Sequence, residues 1–458
     1  MESARHHRAH VVAIRWSEPL EDIYRRANEL TRDPVNPRRH SRKQVRQIAE
    51  NVKAFGFSVP ILVDRDGKVI SGHGRLHAAG QLGSTEAPTL WLDRLTPAQA
   101  RAFMIADNRL AETATWDDRV LVEQLNDLSL VGLDFSIEVI GFEMAKIDLR
   151  IESLKKPPSR KDDAADQMPE LHTDAPLSKI GDLRILGARR VLCGSALLSA
   201  AFTALMCEKR AATVFTDQRY NQPVVGNASG PEPIDDRPCP MASGETNRAE
   251  FTALLGQVFR NLAAFSIDGP LHYVCIDWRH TEELLAASRD VYGALNDLCV
   301  WIEDKGRAGS LYRSQHELVL VLERGRAEPR DNLQRGRVRR NRSDVWDYPK
   351  AKSVLRRTWK DNSRALPATA KPVVIVADAI LDGSARGEIV LDSFLGSGTT
   401  LIAAERTSRR RYGLELDPAH VDAIIRRWET LAGASARHAV SGRSFEDLAL
   451  EAEAANAR

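Results

Sequence analysis

Two stretches of this chain carry residue types and spacings suited to chemistry. In Phe215-Thr216-Asp217-Gln218-Arg219-Tyr220-Asn221, the apolar run Ala212–Phe215 reads as a buried strand that ends in a carboxylate and then an aromatic ring. An α/β enzyme presents its reactive groups in this way, at the carboxyl end of a strand. The second stretch is Asp392-Ser393-Phe394-Leu395-Gly396-Ser397-Gly398-Thr399-Thr400, which follows the strand candidate Glu388–Asp392 and opens a helix at Leu401. A further strand candidate, Arg411–Leu416, brings Glu415 and Asp417 to its end. Glycines let a backbone approach a ligand, and an acid at the next strand's end accepts from ribose hydroxyls. This reads as a nucleoside-binding βαβ unit. No Gly-Lys-Ser/Thr follows the glycines, and Leu401 stands where a dinucleotide fingerprint has its third glycine. A ligand without a pyrophosphate therefore fits best.

The elements that must hold these residues fall into three regions of the 458-residue chain, long enough for two or three domains. From about His10 to Ile151, helical spacing over Ser41–Val52 precedes two apolar runs around Arg65-Asp66-Gly67, which predict a hairpin. Helices are expected over Leu76–Leu82, Pro97–Leu110 and Asp117–Leu128. The charged segment Lys155–Glu170, with Pro157 and Pro158, reads as a linker. From Thr173 to Leu431, strand candidates at Thr213–Asp217, Leu271–Asp277, Cys299–Ile302, Glu317–Leu322, Glu388–Asp392 and Arg411–Leu416 alternate with helical stretches. That alternation predicts a mostly parallel, doubly wound sheet. Ser444–Arg458 reads as an exposed helical tail.

Composition narrows the classes. A hydrophobic content of 43% with 28% charged residues is that of a folded, soluble chain. No apolar run approaches the ~18 residues of a membrane span, and the start lacks an apolar signal core, so a cytoplasmic protein is expected. The cysteines, Cys193, Cys207, Cys239, Cys275 and Cys299, form no paired motif and read as reduced thiols rather than disulfides or a zinc site. The net charge is only +2, yet between Arg324 and Arg342 eight arginines face two acids, a local balance of +6 suited to phosphates.

The glycine loop and the Tyr412–Pro418 strand end resemble the cofactor motifs of DNA amino-methyltransferases. Asp392-Ser393-Phe394-x-Gly396-Ser397-Gly398-Thr399-Thr400 departs from that pattern only at Ser393, where the family has proline. Ala370-Lys371-Pro372-Val373 resembles the family's Lys-Pro element without its preceding histidine. Thr216–Asn221 aligns with the catalytic Asp-Pro-Pro-Tyr element, with Gln218 and Arg219 in place of the prolines. The resemblance implies S-adenosylmethionine as cofactor, bound by Asp392, Phe394, Gly396, Ser397, Gly398, Thr399, Glu415, Asp417 and Lys371. It makes Asp217, Gln218 (through its backbone carbonyl) and Tyr220 catalytic, with Tyr220 stacking on a base flipped out of the duplex. An inward Arg219 would pair with Asp217 or face the sulfonium at a cost of about 4 kcal/mol. Arg335, Arg337, Arg339, Arg340 and Arg342 become candidate DNA contacts. In the first region, Pro60–Asp64, Gly72-His73-Gly74-Arg75 and Ile105–Leu110 are similar to ParB/sulfiredoxin-like domains. That likeness makes Gly72, Gly74 and Arg75 a candidate phosphate loop, equally readable as a structural turn.

The expectation is thus an α/β chain. A smaller α+β ParB-like domain (8–152) and a linker (153–172) precede a Rossmann-like methyltransferase domain (173–432) and a tail (433–458). Expected partners are double-stranded DNA, a nucleotide at the amino-terminal domain and a second copy of the chain, with no membrane and no metal. Three functions follow: a site-specific methyltransferase acting on adenine before cytosine, a DNA-binding relative with impaired catalysis, and a ParB-like nucleotide-binding or nuclease module as the active part.

Overall fold

A computed structural model describes residues 23–92, 94–131, 133–154, 175–218, 247–307, 312–330, 332, 342–348 and 371–456. The chain forms two compact units, 1–122 with 133–143, and 123–132 with 144–458.

In the smaller unit, the elements are β1 (Ile23–Arg26), α1 (Arg42–Phe55), β2 (Ile61–Val63), β3 (Val69–Ser71), α2 (His73–Leu82), β4 (Glu86–Trp91) and α3 (Pro97–Thr113). The Asp-Gly turn forms the expected β2–β3 hairpin. Asp64 accepts from the N–H groups of Asp66 and Lys68, while Gly67 takes a φ of 75°. The sheet order is β1-β4-β2-β3, with β2 and β4 parallel and both outer pairs antiparallel. Ser41 caps α1, and Thr96 with Gln99 forms a reciprocal capping box on α3 ahead of Pro97. Leu30, Ile61, Val63, Val69, Leu76 and Ala87 pack as its core.

The next helices are α4 (Asp118–Leu130) and α5 (Met144–Leu154). The larger unit continues through β5 (Leu183–Leu186), β6 (Arg189–Cys193), α6 (Ser199–Met206), β7 (Thr213–Thr216), α7 (Arg248–Ala264), β8 (Leu271–Ile276) and α8 (Thr281–Ser288). It closes with β9 (Ala294–Arg307), β10 (Ser314–Glu323), β11 (Val345–Asp347), α9 (Val373–Gly383), β12 (Ile389–Asp392), α10 (Thr399–Arg406), β13 (Arg410–Glu415), α11 (Pro418–Ala432), β14 (Arg437–His438) and α12 (Phe445–Asn456). Ten strands make one sheet in the order β11-β9-β10-β8-β7-β12-β13-β6-β5-β14. The central run β8-β7-β12-β13-β6 is parallel. Alternate residues face opposite cores. Val214, Val274 and Ile276 join Phe202, Phe251 and Phe259, whereas Phe215, Tyr273 and Cys275 join Trp301, Val376 and Ile380.

Three features differ from the sequence reading. The parallel centre of the sheet carries antiparallel flanks that were not expected, because β10 returns antiparallel to both β8 and β9, and β5 runs antiparallel to β6. The supposed tail is part of the fold: β14 pairs with β5, and Phe445 is buried under the guanidinium of Arg426. Finally, α5 belongs with the larger unit instead of ending the first domain at 152. Its buried Asp148 accepts from Arg386 Nε at 2.8 Å and from Arg409 at 3.0 and 2.7 Å. Two guanidiniums so deeply buried need that carboxylate.

Candidate active site

The strand order reverses between β7 and β12. The chain leaves β7 for β8 on one side and β12 for β13 on the other. In an open α/β sheet, the crevice at the carboxyl ends of two such strands is the natural ligand site. A side-chain bridge crosses the reversal here: Thr216 Oγ1 donates to Asp392 Oδ1 at 3.0 Å and lies 3.1 Å from Ser393 Oγ.

On the β12 side, Asp392 is buried and its oxygens are spent on the protein. It accepts from Thr216, from Thr400 Oγ1 at 2.6 Å and from the N–H of Phe394 at 2.9 Å, with Arg411 against it. Asp392 therefore shapes the loop. Arg411 is fully buried, burial pushes its pKa well below the usual value, and it meets Asp392 as an ion pair without good hydrogen-bond geometry. Gly396 and Gly398 adopt left-handed φ values of 51° and 76°, and a Cβ on Gly396 would meet nothing within 4 Å. The N–H of Gly396 donates to Glu415 Oε2 at 2.8 Å, and that of Asp417 donates to Glu415 Oε1 at 3.1 Å. Asp417 caps α11 through Ala419, and Ser397 Oγ pairs with Thr399 Oγ1 at 3.0 Å. Phe394 is partly buried against the core. The loop can pack this tightly on the sheet because Gly413 lies beneath it, where a Cβ would sit 2.6 Å from Leu395 Cγ.

On the β7 side, the Asp217 carboxylate is bound by Lys371. Its Nζ donates to Asp217 Oδ2 at 2.5 Å and to Glu317 Oε2, on β10, at 2.9 Å. Among the described residues, the cation on Asp217 is thus Lys371; Arg219 and Tyr220 lie outside the described residues. Gln218 is buried, and its Nε2 donates to the carbonyl of Cys275 on β8 at 2.6 Å. Its Oε1 is buried without a partner. Burial raises Cys275 well above its usual value, and burial followed by Glu415 pushes Cys193 up to about 12.

Glu317, Thr216, Thr400, Arg411 and Cys275 belong to this constellation but were missed from sequence. Glu317 carried a usable signal, a lone charge opening the apolar run Leu318–Leu322.

The proposed DNA contacts fare differently. Arg335, Arg337, Arg339 and Arg340 lie outside the described residues. Arg342 does not serve as an exposed phosphate contact. It donates to Asp382 at 2.5 Å and to Tyr348 at 2.9 Å, and it stacks on Trp346 at 4.9 Å. In the smaller unit, Gly72 begins α2 with a φ of 100°, and a Cβ on Gly74 would meet Ile48 Cδ1 at 2.9 Å. Arg75 is turned inward, donating to Pro60 O at 3.1 Å, and burial lowers its pKa. As described, this loop is a packed turn.

Comparison with known proteins agrees with this division. The DNA methylase family of N6 and N4 type matches residues 233–426, and residues of the smaller unit have a ParB-like relative. The larger unit carries a DNA methylase domain of N6 and N4 type, and the smaller unit a ParB-like domain. That relative, the ParB-like nuclease domain-containing protein YnaK of Escherichia coli, is 42% identical over 83 residues, which are 18% of this chain and 95% of YnaK. The type II methyltransferase M.ScaI of Streptomyces caespitosus is 33% identical over 93 residues, 20% of this chain. The DNA adenine methyltransferase YhdJ of E. coli is 32% identical over the same number of residues. This chain spans only 30% of the length of either methyltransferase. The match to the methylase family begins at 233, after the Asp217 turn. Among the described residues no helix is long and apolar enough to cross a membrane.

Proposed function

We propose that the methylase domain transfers a methyl group from S-adenosylmethionine to the exocyclic amino group of adenine in double-stranded DNA, with cytosine as the second candidate base. One observation carries the reading. Asp217 and the Gly396–Gly398 loop come from distant parts of the chain, yet they meet across the strand reversal through Thr216 and Asp392. When bound, the cofactor supplies an electrophilic methyl on a sulfonium cation. The residues present fit such a group: Asp217, Glu317, Asp392, Glu415 and Asp417 outnumber Lys371 and Arg411, and Gly396 borders open space.

In this reading Glu415 and Asp417 accept from ribose hydroxyls, and Phe394 flanks the nucleoside. An aromatic amino group is a poor nucleophile until both its hydrogens are held by acceptors. The Asp217 carboxylate and the Gln218 backbone carbonyl are those acceptors, and Tyr220 is the stacking ring for the flipped base. The loss of the family's prolines is offset at the first position, where the Gln218 amide ties the turn to Cys275 O at 2.6 Å. Arg335, Arg337, Arg339 and Arg340 are proposed to contact phosphates. The ParB-like module as the active part gains no support from an Arg75 that faces a backbone carbonyl.

The test is incubation of the full chain with duplex DNA and methyl-labelled S-adenosylmethionine, followed by nucleoside analysis. Label in N6-methyladenine is expected, and label in N4-methylcytosine would reassign the base. Transfer absent from the native chain but present in Gln218→Pro/Arg219→Pro would instead establish the impaired reading.

A further inference from the structure

Lys371 stands immediately before α9 and reaches the end of a strand that lies 154 residues earlier in the chain. Its side chain is 3% exposed, and its ammonium joins Asp217 at the end of β7 to Glu317 on β10. It also lies 5.7 Å from the centre of the Trp301 ring. The next residue, Pro372, holds φ at −59° and disfavours a helical conformation at Lys371, so the lysine stands outside the helix. Glu317 is itself only 4% exposed. Asp217 keeps 30% of its side chain exposed, so the buried Glu317 is the carboxylate that most needs the cation, and the two acids repel each other unless it sits between them. An ammonium suits that place, since its rotatable donors serve two acceptors while its charge faces an indole.

We propose that Lys371 is a positioning residue: it holds the Asp217 carboxylate where the target amino group needs it, with Glu317 as its second anchor. This rests on the methyl-transfer reading above. Groups facing the ammonium among the described residues include Asp217 after β7, Cys275 from β8, Trp301 from β9 and Glu317 from β10. Without the cation, Asp217 and Glu317 are left opposed, and Asp217, the more exposed carboxylate at the end of its strand, is the one that swings away. A displacement of about 1 Å suffices to cost about a hundredfold in rate.

Charge matching separates this role from mere packing. Lys371→Met removes the cation and leaves two opposed carboxylates. Lys371→Met/Glu317→Gln removes the cation and one repelling charge together. The single variant is expected to lose about a hundredfold in kcat, with S-adenosylmethionine affinity measured by calorimetry changed less than about twofold. The double variant is expected to recover at least about tenfold of that loss, although it carries one more alteration. Lys371→Arg keeps the charge in a planar fork that cannot serve both acids equally, and should fold while losing kcat. Crystal structures supply a readout independent of turnover: Asp217 should be displaced in Lys371→Met and restored in the double variant. Lost cofactor affinity with unchanged kcat, or a double variant no better than the single, would overturn the proposal. If the native chain transfers no methyl yet Asp217 moves and returns as described, the methyl-transfer reading fails and the clamp stands. If the native chain is active and Asp217 stays in place, the clamp fails.

Discussion

The chain contains two Gly-x-Gly turns that lead from a strand into a helix, and they use their glycines for opposite purposes. At Gly72-His73-Gly74, the second glycine is a packing device, with Ile48 and His40 where a side chain would go. The neighbouring Arg75 is turned into the protein. At Gly396-Ser397-Gly398, the first glycine borders open space, and its N–H is fixed by a carboxylate from the next strand. A glycine pair therefore signals a close approach, but only the surroundings say whether a ligand or the protein itself makes it.

The contrast can be tested by breaking each turn. The largest effect is expected from Glu415→Ala. It removes both the anchor of Gly396 and a proposed ribose acceptor, at about 1.5–3 kcal/mol for a charged hydrogen bond, so cofactor affinity by calorimetry should fall up to about a hundredfold. Gly74→Ala should overpack the smaller unit and cost about 1–3 kcal/mol of its stability in denaturant unfolding, with cofactor affinity unchanged. Gly396→Ala meets no neighbour, so only its left-handed backbone is penalised, by about 1–2 kcal/mol, and affinity should fall about tenfold. Equal losses of cofactor affinity in Gly74→Ala and Gly396→Ala would erase the distinction.

Histidines sharpen the same comparison through pH. His272 is fully buried between Ser266 and Tyr292, and burial brings its pKa down to about 3. Between that value and an ordinary ~6.5 only the unfolded chain binds the proton, so stability falls on acidification through this window, by at most about 1.4 kcal/mol per pH unit. His73 and His77 in the smaller unit are also lowered, chiefly by burial, yet both are less enclosed. His272→Asn should flatten the acid limb of urea midpoints for the larger unit, and a double exchange of His73 and His77 should leave that limb as it was.

Much of the fold is legible because its signals are local. The Asp-Gly hairpin, the Thr96 box before Pro97 and the near-continuous apolar strands each announce themselves within a few residues. What could not be read depends on partners remote in the chain. The edge strands β11 and β14 are only three and two residues long and pass as loop, and α5 is placed by an Asp148 whose guanidinium partners come more than two hundred residues later. The site divides in the same way. Its carboxylates and glycines stand in recognisable local motifs. The Lys371–Glu317 clamp, the Gln218 tether and the internal use of Arg342 exist only after β7, β8, β10 and α9 have come together.

The Thr216–Asp392 bridge joins residues 176 positions apart. At a synthesis rate of about 5–20 residues per second, β7 leaves the ribosome on the order of ten to thirty-five seconds before the strand that will lie beside it. Once β8 has followed, β7 has that strand on one flank and an unpaired apolar edge on the other until β12 arrives. The assembly of the site is therefore a late, non-local and slow event, and the nascent chain carries Asp217 for many seconds before any cofactor loop exists to meet it.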